Sequence, residues 1–316
     1  MRFISAGEIA AVLEFPALID AIAEAFRAEI TAPPRHHHTI PRATSNATLL
    51  LMPAWTGERG QDFIGTKIVS VFPGNAALGA PSVTGTYLLM KGDTGEPLAA
   101  IDGRTLTLWR TASTSALAAR FLAREDAQMH LMVGAGALAP YLIRAHICVR
   151  PLRQFMIWNR TQARAEALAA ELSRQGIDAR VADDLEGAVR QADIVSCATL
   201  SNAPIVCGEW MRPGAHLDLV GGFKPTMREV DDEALRRARL YVDTRTGALR
   251  EAGDLVDPIR RQVIVEADIR GDLFDLCRGK VKGRERAEEI TLFKSVGTAI
   301  EDLAAAMLVW KRLGQA

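Results

Sequence analysis

Two groups of residues in this 316-residue chain have types and spacings suited to chemistry. The first is the run Leu131-Met132-Val133-Gly134-Ala135-Gly136-Ala137-Leu138-Ala139, an apolar stretch followed by a Gly-x-Gly-x-x-Ala turn. Between a strand and a helix, the first glycine of such a turn permits the sharp bend and the second lets a pyrophosphate approach the backbone. The third small residue keeps helix and strand close. The start of the helix then offers N–H groups to the anion. A second apolar stretch ends at Trp158, at the spacing of about 20 residues expected for a dinucleotide site. At this strand end an acid would bond the ribose hydroxyls and repel a phosphate. The chain instead has Asn159-Arg160-Thr161, with Arg164 a turn further on. A guanidinium and a hydroxyl suit a 2′-phosphate, so NADPH is expected to be preferred over NADH. The alternative is that Arg160 and Arg164 are solvated charges at a helix start. Ala198-Thr199 and Val220-Gly221-Gly222 follow later apolar stretches and are expected to line the cofactor.

The second group is cationic: Arg35 in Pro34-Arg35-His36-His37-His38, Lys67 in Gly65-Thr66-Lys67-Ile68-Val69, and Arg110 in Leu108-Trp109-Arg110-Thr111-Ala112. A long cation in an apolar run needs a partner. A structural ion pair, a snorkelling side chain and an anion-binding site all satisfy that need. The three histidines suggest a metal, but on a strand only His36 and His38 would share a face, so no metal is expected. A histidine lining a pocket, represented by His38, stands beside a purely structural role.

The elements that must hold these residues follow from periodicity. Ser5 and Glu8 form a capping box, and Pro16 can open a second helix with an apolar stripe at Leu18, Ile19, Ile22 and Phe26. Residues 35–102 break into short Val-, Ile-, Thr- and Tyr-rich runs separated by turn signals, the pattern of an antiparallel sheet. A small-residue helix is expected over 111–123, with Arg110 where strand gives way to helix. From Met129 strands and helices alternate, which predicts a Rossmann-type doubly wound parallel sheet. Strands are expected at 129–133, 155–158, 179–181, 194–197, 216–219 and 240–242, and a final helix with a continuous apolar face at 298–313. The fold class is therefore α/β, with an added α+β domain. The domains expected are 1–112 with 298–316 for substrate, and 113–297 for NAD(P).

Lys+Arg and Asp+Glu both number 38 and the formal charge is zero, which argues against a nucleic-acid or membrane partner and for a small molecule. Glu8 interrupts the apolar start, and no run reaches the ~18 apolar residues of a membrane span. A cytoplasmic protein is expected. Cys148, Cys197, Cys207 and Cys277 lack metal or disulfide spacing and read as buried free thiols.

Taken in order, Met52-Pro53-Ala54, Gly65-Thr66-Lys67-Ile68-Val69, Leu88-Leu89, Asp102-Gly103, Arg110-Thr111-Ala112, Gly134-Ala135-Gly136, Trp158-Asn159-Arg160-Thr161, Met227-Arg228-Glu229 and Lys294-Ser295-Val296-Gly297 resemble the ornithine cyclodeaminase/mu-crystallin family. The resemblance implies a homodimer and makes Arg35, Lys67 and Arg110 the clamp on a substrate carboxylate. It also implies cofactor contacts at Ser82, Val83, Thr111, Gly136, Ala137, Leu138, Asn159, Arg160, Thr161, Arg164, Thr199, Gly221 and Val296. Ornithine-cyclising members resemble one another in two acids that are absent here, where Leu50 and the run Gly221-Gly222-Phe223 stand. Without them no obvious group deprotonates a second amine. The histidine segment and Val71-Phe72-Pro73-Gly74-Asn75 look more like bacterial ketimine reductases. The resemblance thus implies reduction of 1-pyrroline-2-carboxylate or 1-piperideine-2-carboxylate to L-proline or L-pipecolate. Ornithine cyclodeaminase, alanine dehydrogenase and an NADPH-dependent binding protein are the alternatives.

Overall fold

The computed structural model describes residues 1–42, 46–57 and 63–314. The elements run β1 (Arg2–Ile4), α1 (Ala6–Val12), α2 (Phe15–Arg27), β2 (Ile30–Thr31), β3 (His36–Ile40), β4 (Ala47–Thr56), β5 (Phe63–Val71), β6 (Val83–Lys91), β7 (Pro97–Asp102) and α3 (Gly103–Leu122). There follow β8 (Met129–Val133), α4 (Ala139–Ile147), β9 (Gln154–Trp158), α5 (Gln162–Ser173), β10 (Ala179–Val181), α6 (Leu185–Gln191), β11 (Ile194–Cys197), β12 (His216–Leu219), α7 (Asp232–Arg237) and β13 (Ala238–Val242). The chain closes with α8 (Arg245–Glu251), α9 (Gly253–Arg260), β14 (Ile269–Asp272), α10 (Leu273–Cys277), β15 (Ile290–Lys294) and α11 (Ala299–Arg312). It divides into two compact units, one of Met1–Arg110 with Thr298–Ala316 and the other of Thr111–Gly297.

In the first unit a mostly antiparallel sheet runs β1-β7-β6-β5-β4-β2, with β3 also on β4 and β1 parallel to β7. Met52, Ala54, Tyr87, Leu89 and Ile101 point inward and are buried, as are Leu18, Ile22 and Phe26 of α2. The helix α11 packs on α2 and on β4, β5 and β6. Ser5 and Glu8 form the capping box of α1, and Pro16 sits in the first turn of α2.

The helix α3 starts eight residues before the expected position, so Arg110 lies inside a helix and not at a strand end. Thr105-Leu106-Thr107-Leu108-Trp109 has strand-like composition, but the Asp102 carboxylate accepts the Thr105 N–H at 2.8 Å and caps a helix there. Gly103 makes that start possible, because a Cβ at this position would lie 2.6 Å from the Gly85 carbonyl carbon.

The second unit is a parallel sheet in the order β10-β9-β8-β11-β12-β15-β13-β14. The central strands β8, β11, β12 and β15 run almost wholly of buried residues, as strands covered on both faces must, whereas β9 and β10 towards the edge are only partly buried. The order reverses between β8 and β11, the crevice where ligands of such sheets lie. The six expected strands are present. β14 and β15 escaped the periodic reading: the first has four residues, and the second ends in Lys294, a residue that reads as a break although it is fully buried. Cys148 is exposed, contrary to the expectation of burial, whereas Cys197 and Cys277 are buried. Among the described residues no helix is long and apolar enough to cross a membrane.

Candidate functional site

The Gly-rich turn of the second unit joins β8 to α4. Gly134 has φ +109°, and a Cβ there would lie 2.7 Å from the Ala198 carbonyl oxygen. Only glycine satisfies both conditions. Gly136 is exposed, and a Cβ built on it meets nothing within 4 Å. The protein's own packing therefore does not require glycine at 136. The amide of Ala135 donates to Asn159 Oδ1 at 3.0 Å, which ties the turn to the end of β9. Among the described residues the amides of Gly136, Ala137 and Leu138 have no acceptor, while Ala139 is buried against the sheet. Three free N–H groups around an open glycine fit a pyrophosphate.

Asn159 also donates to the Thr161 carbonyl at 2.9 Å. Arg160, Thr161 and Arg164 are exposed, and the Thr161 hydroxyl makes no capping bond to α5. Across the crevice, Thr199 follows β11 and Gly221 follows β12. Both are held by Glu229: Oε1 accepts the Thr199 N–H at 2.7 Å and its hydroxyl at 2.8 Å, and Oε2 accepts the Gly221 N–H at 2.8 Å. Val296 donates its N–H to Asp243 at 2.7 Å, and Thr111 lies in α3. Ser82 and Val83 belong to the first unit, where the Ser82 carbonyl accepts the Phe72 N–H at 2.7 Å and Val83 opens β6.

The cations belong to the first unit. Lys67 sits in the middle of β5, opposite Met52 on one side and Tyr87 on the other. It is 3% exposed and Arg110 6%. Gly65, two residues before Lys67 on the same face, leaves room for Tyr87, whose hydroxyl would lie 1.8 Å from a Cβ there. The partners of both cations come from α11: Lys67 Nζ lies 2.8 Å from Asp302, Arg110 Nε 3.0 Å from Asp302, and the Arg110 guanidinium also bonds Glu301. Glu301 and Asp302 are fully buried, so the expected continuous apolar face of α11 is interrupted. Burial, followed by the nearby Arg110, pushes the Lys67 ammonium down to about 8; Asp302 opposes this and Arg35 adds to it. Burial alone would raise the Asp302 carboxyl, but Arg110, Lys67 and Arg35 hold it below its ordinary value. Arg35 thus acts on the same group of charges.

His36 and His38 share a face of β3, with ring centroids 6.4 Å apart, and both are exposed. Among the described residues there is no group of three or more metal-ligating side chains. Glu301, Asp302, Glu229 and Asp254 went unassigned in the sequence. The signal available for the first two was a pair of acids inside an Ala- and Leu-rich helix.

Comparison with known proteins agrees with this architecture. The chain is 44% identical to Protein SAR DEFICIENT 4 of Arabidopsis thaliana over 89% of its length and 86% of the relative's. It is 36% identical to a Delta(1)-pyrroline-2-carboxylate reductase of Colwellia psychrerythraea over 99% of both chains. The structure of the Thermococcus litoralis Delta(1)-pyrroline-2-carboxylate reductase, in complex with NADH and L-proline, superposes with a TM-score of 0.93 at 32% identity, covering 100% of this chain and 98% of that one. A family model matches residues 2–316, and the chain belongs to the ornithine cyclodeaminase/mu-crystallin family.

Proposed function

We propose that this protein is an NAD(P)H-dependent oxidoreductase that reduces the C=N bond of a cyclic ketimine carboxylate, 1-pyrroline-2-carboxylate to L-proline and 1-piperideine-2-carboxylate to L-pipecolate. The observation that carries the reading is the crowding of cations around Asp302: buried Lys67 Nζ at 2.8 Å and Arg110 Nε at 3.0 Å, with Arg35 adding its charge to the same group. A site where buried cations repel one another is relieved by an anion. Either arginine offers a carboxylate two parallel donors. Arg35, Lys67 and Arg110 would fix the carboxylate and so orient the imine carbon, and His38 is a further substrate contact in this reading.

Gly134, Gly136, Ala137 and Leu138 would hold the pyrophosphate. Asn159, Arg160, Thr161 and Arg164 would hold the adenosine ribose, with NADPH preferred over NADH. Thr111, Thr199, Gly221 and Val296 complete the set within the second unit. The bound nicotinamide supplies the hydride to the imine carbon, and a proton goes to nitrogen, giving the cyclic amino acid. Leu50 pairs with Val69 and His37 in the sheet, and no carboxylate stands at that position or at Phe223 for the deprotonation that ornithine cyclisation needs. A homodimer is part of the proposal. Phe3 and Trp55, 65% and 38% exposed, lie on the sheet face away from the buried Ile4 and Ala54, which suits an interface.

The test follows NADPH absorbance with 1-pyrroline-2-carboxylate, 1-piperideine-2-carboxylate, pyruvate plus ammonia, and ornithine, the last with an ammonia readout. Turnover of the two imines with little of the others is expected. Turnover of ornithine or pyruvate alone, or NADPH binding with no turnover, overturns the reading.

A further inference from the structure

Beneath the loops that follow β11 and β12 lies a closed group of charges to which the proposed reaction assigns no part. Glu229, Asp254 and Lys294 are each 0% exposed. Lys294 Nζ, at the end of β15, is 3.2 Å from Asp254 Oδ2 and 3.8 Å from Glu229 Oε2. Asp254, from the first turn of α9, accepts the Glu229 N–H at 2.7 Å and the Val230 N–H at 3.3 Å. So held, Glu229 spends its oxygens on Thr199 and on the amides of Gly221 and Gly222, the last at 3.2 Å. Two loops, 22 positions apart at Thr199 and Gly221, are joined through one carboxylate. The fit is tight: a Cβ on Gly221 would lie 2.0 Å from the Thr199 carbonyl oxygen and 2.6 Å from Glu229 Oε1.

The consequence follows from peptide planarity. In a trans peptide, N–H and C=O point in opposite directions. Turning the Thr199, Gly221 and Gly222 amides toward Glu229 therefore turns the carbonyls of Ala198, Val220 and Gly221 away from it. The Ala198 carbonyl does face Gly134, the first glycine of the phosphate turn.

We propose that Glu229, held by Lys294 and Asp254, is a positioning residue that fixes the loops after β11 and β12 and thereby the nicotinamide side of the cofactor site. The proposal rests on the cofactor reading given above. It predicts that cofactor affinity depends on the Glu229 charge, since a protonated carboxyl would set an O–H against N–H donors. Burial pushes Glu229 up to about 7, against the pull of Lys294 and with a push from Asp254. Of the other titratable groups facing it, Cys197 of β11 is pushed up by burial and then by Glu229 itself. Thiolate formation at Cys197 therefore lies far above that range.

The experiment is a fluorescence titration of NADPH and NADH between pH 5.5 and 8.5 on the wild type, Glu229→Gln and Thr199→Val, with melting curves alongside. The wild-type dissociation constant is expected to rise as pH falls through about 7. Glu229→Gln should weaken cofactor binding at least tenfold at pH 8 and abolish the pH dependence, with the KM for imine changed less than threefold. Thr199→Val removes one bond to the ionised carboxylate, so the midpoint of the pH dependence should move up, while Thr199→Ser restores it. Cofactor affinity within twofold of wild type in Glu229→Gln, or a lowered melting temperature with an unchanged pH profile, overturns the proposal. Should Glu229→Gln fail to fold, an unmoved midpoint in Thr199→Val overturns it. Failure of the wild type to bind either nucleotide overturns the cofactor reading itself, whereas normal wild-type binding with unaffected variants removes only the role of Glu229.

Discussion

Lys67 and Asp302 are 235 residues apart in the chain and 2.8 Å apart in space. The same carboxylate receives Arg110 at 3.0 Å, so one aspartate from the last helix sets the mutual position of two cations from a strand and another helix. Asp302→Asn would leave Lys67 and Arg110 buried beside a neutral amide. Breaking a buried pair in this way costs about 3–5 kcal/mol. Chemical denaturation should register that loss, and steady-state kinetics should show the KM for imine raised at least tenfold. Unchanged stability and KM together would remove Asp302 from this role.

Lys67 serves as a cation only while protonated. With its ammonium pushed down to about 8 by burial and by Arg110, kcat/KM for the imine should fall as pH rises through about 8. Lys67→Arg, charged throughout, should flatten that limb. The stability change has the opposite sign. Between about 8 and the unfolded value near 10.4 the unfolded chain binds a proton that the folded chain does not, so folding stability contributed by this group rises with pH across that window. A pH–rate profile with no descending limb between 7 and 9 would reject the assignment.

Gly134 and Gly136 should separate folding from binding. Gly134→Ala places a side chain at φ +109° and 2.7 Å from the Ala198 carbonyl oxygen, which should destabilise the second unit by about 1–3 kcal/mol. Gly136→Ala meets nothing within 4 Å. It should melt like the wild type and yet bind NADPH at least tenfold more weakly, because the methyl group occupies the approach to the free amides. Equal nucleotide affinity in Gly136→Ala would place the pyrophosphate elsewhere.

Arg160→Asp should turn nucleotide preference toward NADH, by repelling a 2′-phosphate and offering an acceptor to the ribose hydroxyls. The ratio of kcat/KM values for NADPH and NADH measures this, with a change of at least tenfold expected. An unchanged ratio would mean that Arg160 and Arg164 are only solvated charges at the start of α5.

The dinucleotide motif was legible because every interaction it needs is local. Gly134, Gly136, Ala139 and Asn159 lie within one strand–turn–helix–strand unit; Gly134 is dictated by local backbone geometry, and Gly136 stands out because nothing in the chain itself requires it. Lys67 and Arg110 also stood out, since a cation beside apolar neighbours is anomalous whatever surrounds it. Their partners did not. Glu301 and Asp302 sit in a helix whose pattern reads as an apolar stripe, and Glu229, Asp254 and Lys294 come from three separate elements. The start of α3 was misread for a related reason: residues 105–109 have strand-like composition, and the cap that makes them helical comes from Asp102 in the preceding strand. Sequence by itself marked the Gly-rich turn and the anomalous cations and determined the alternation that builds the parallel sheet, because these depend on neighbours a few positions away. Tertiary structure alone decided which carboxylate meets which cation, because the energy of a buried charge depends on distance in space, and separation along the chain says nothing about that distance.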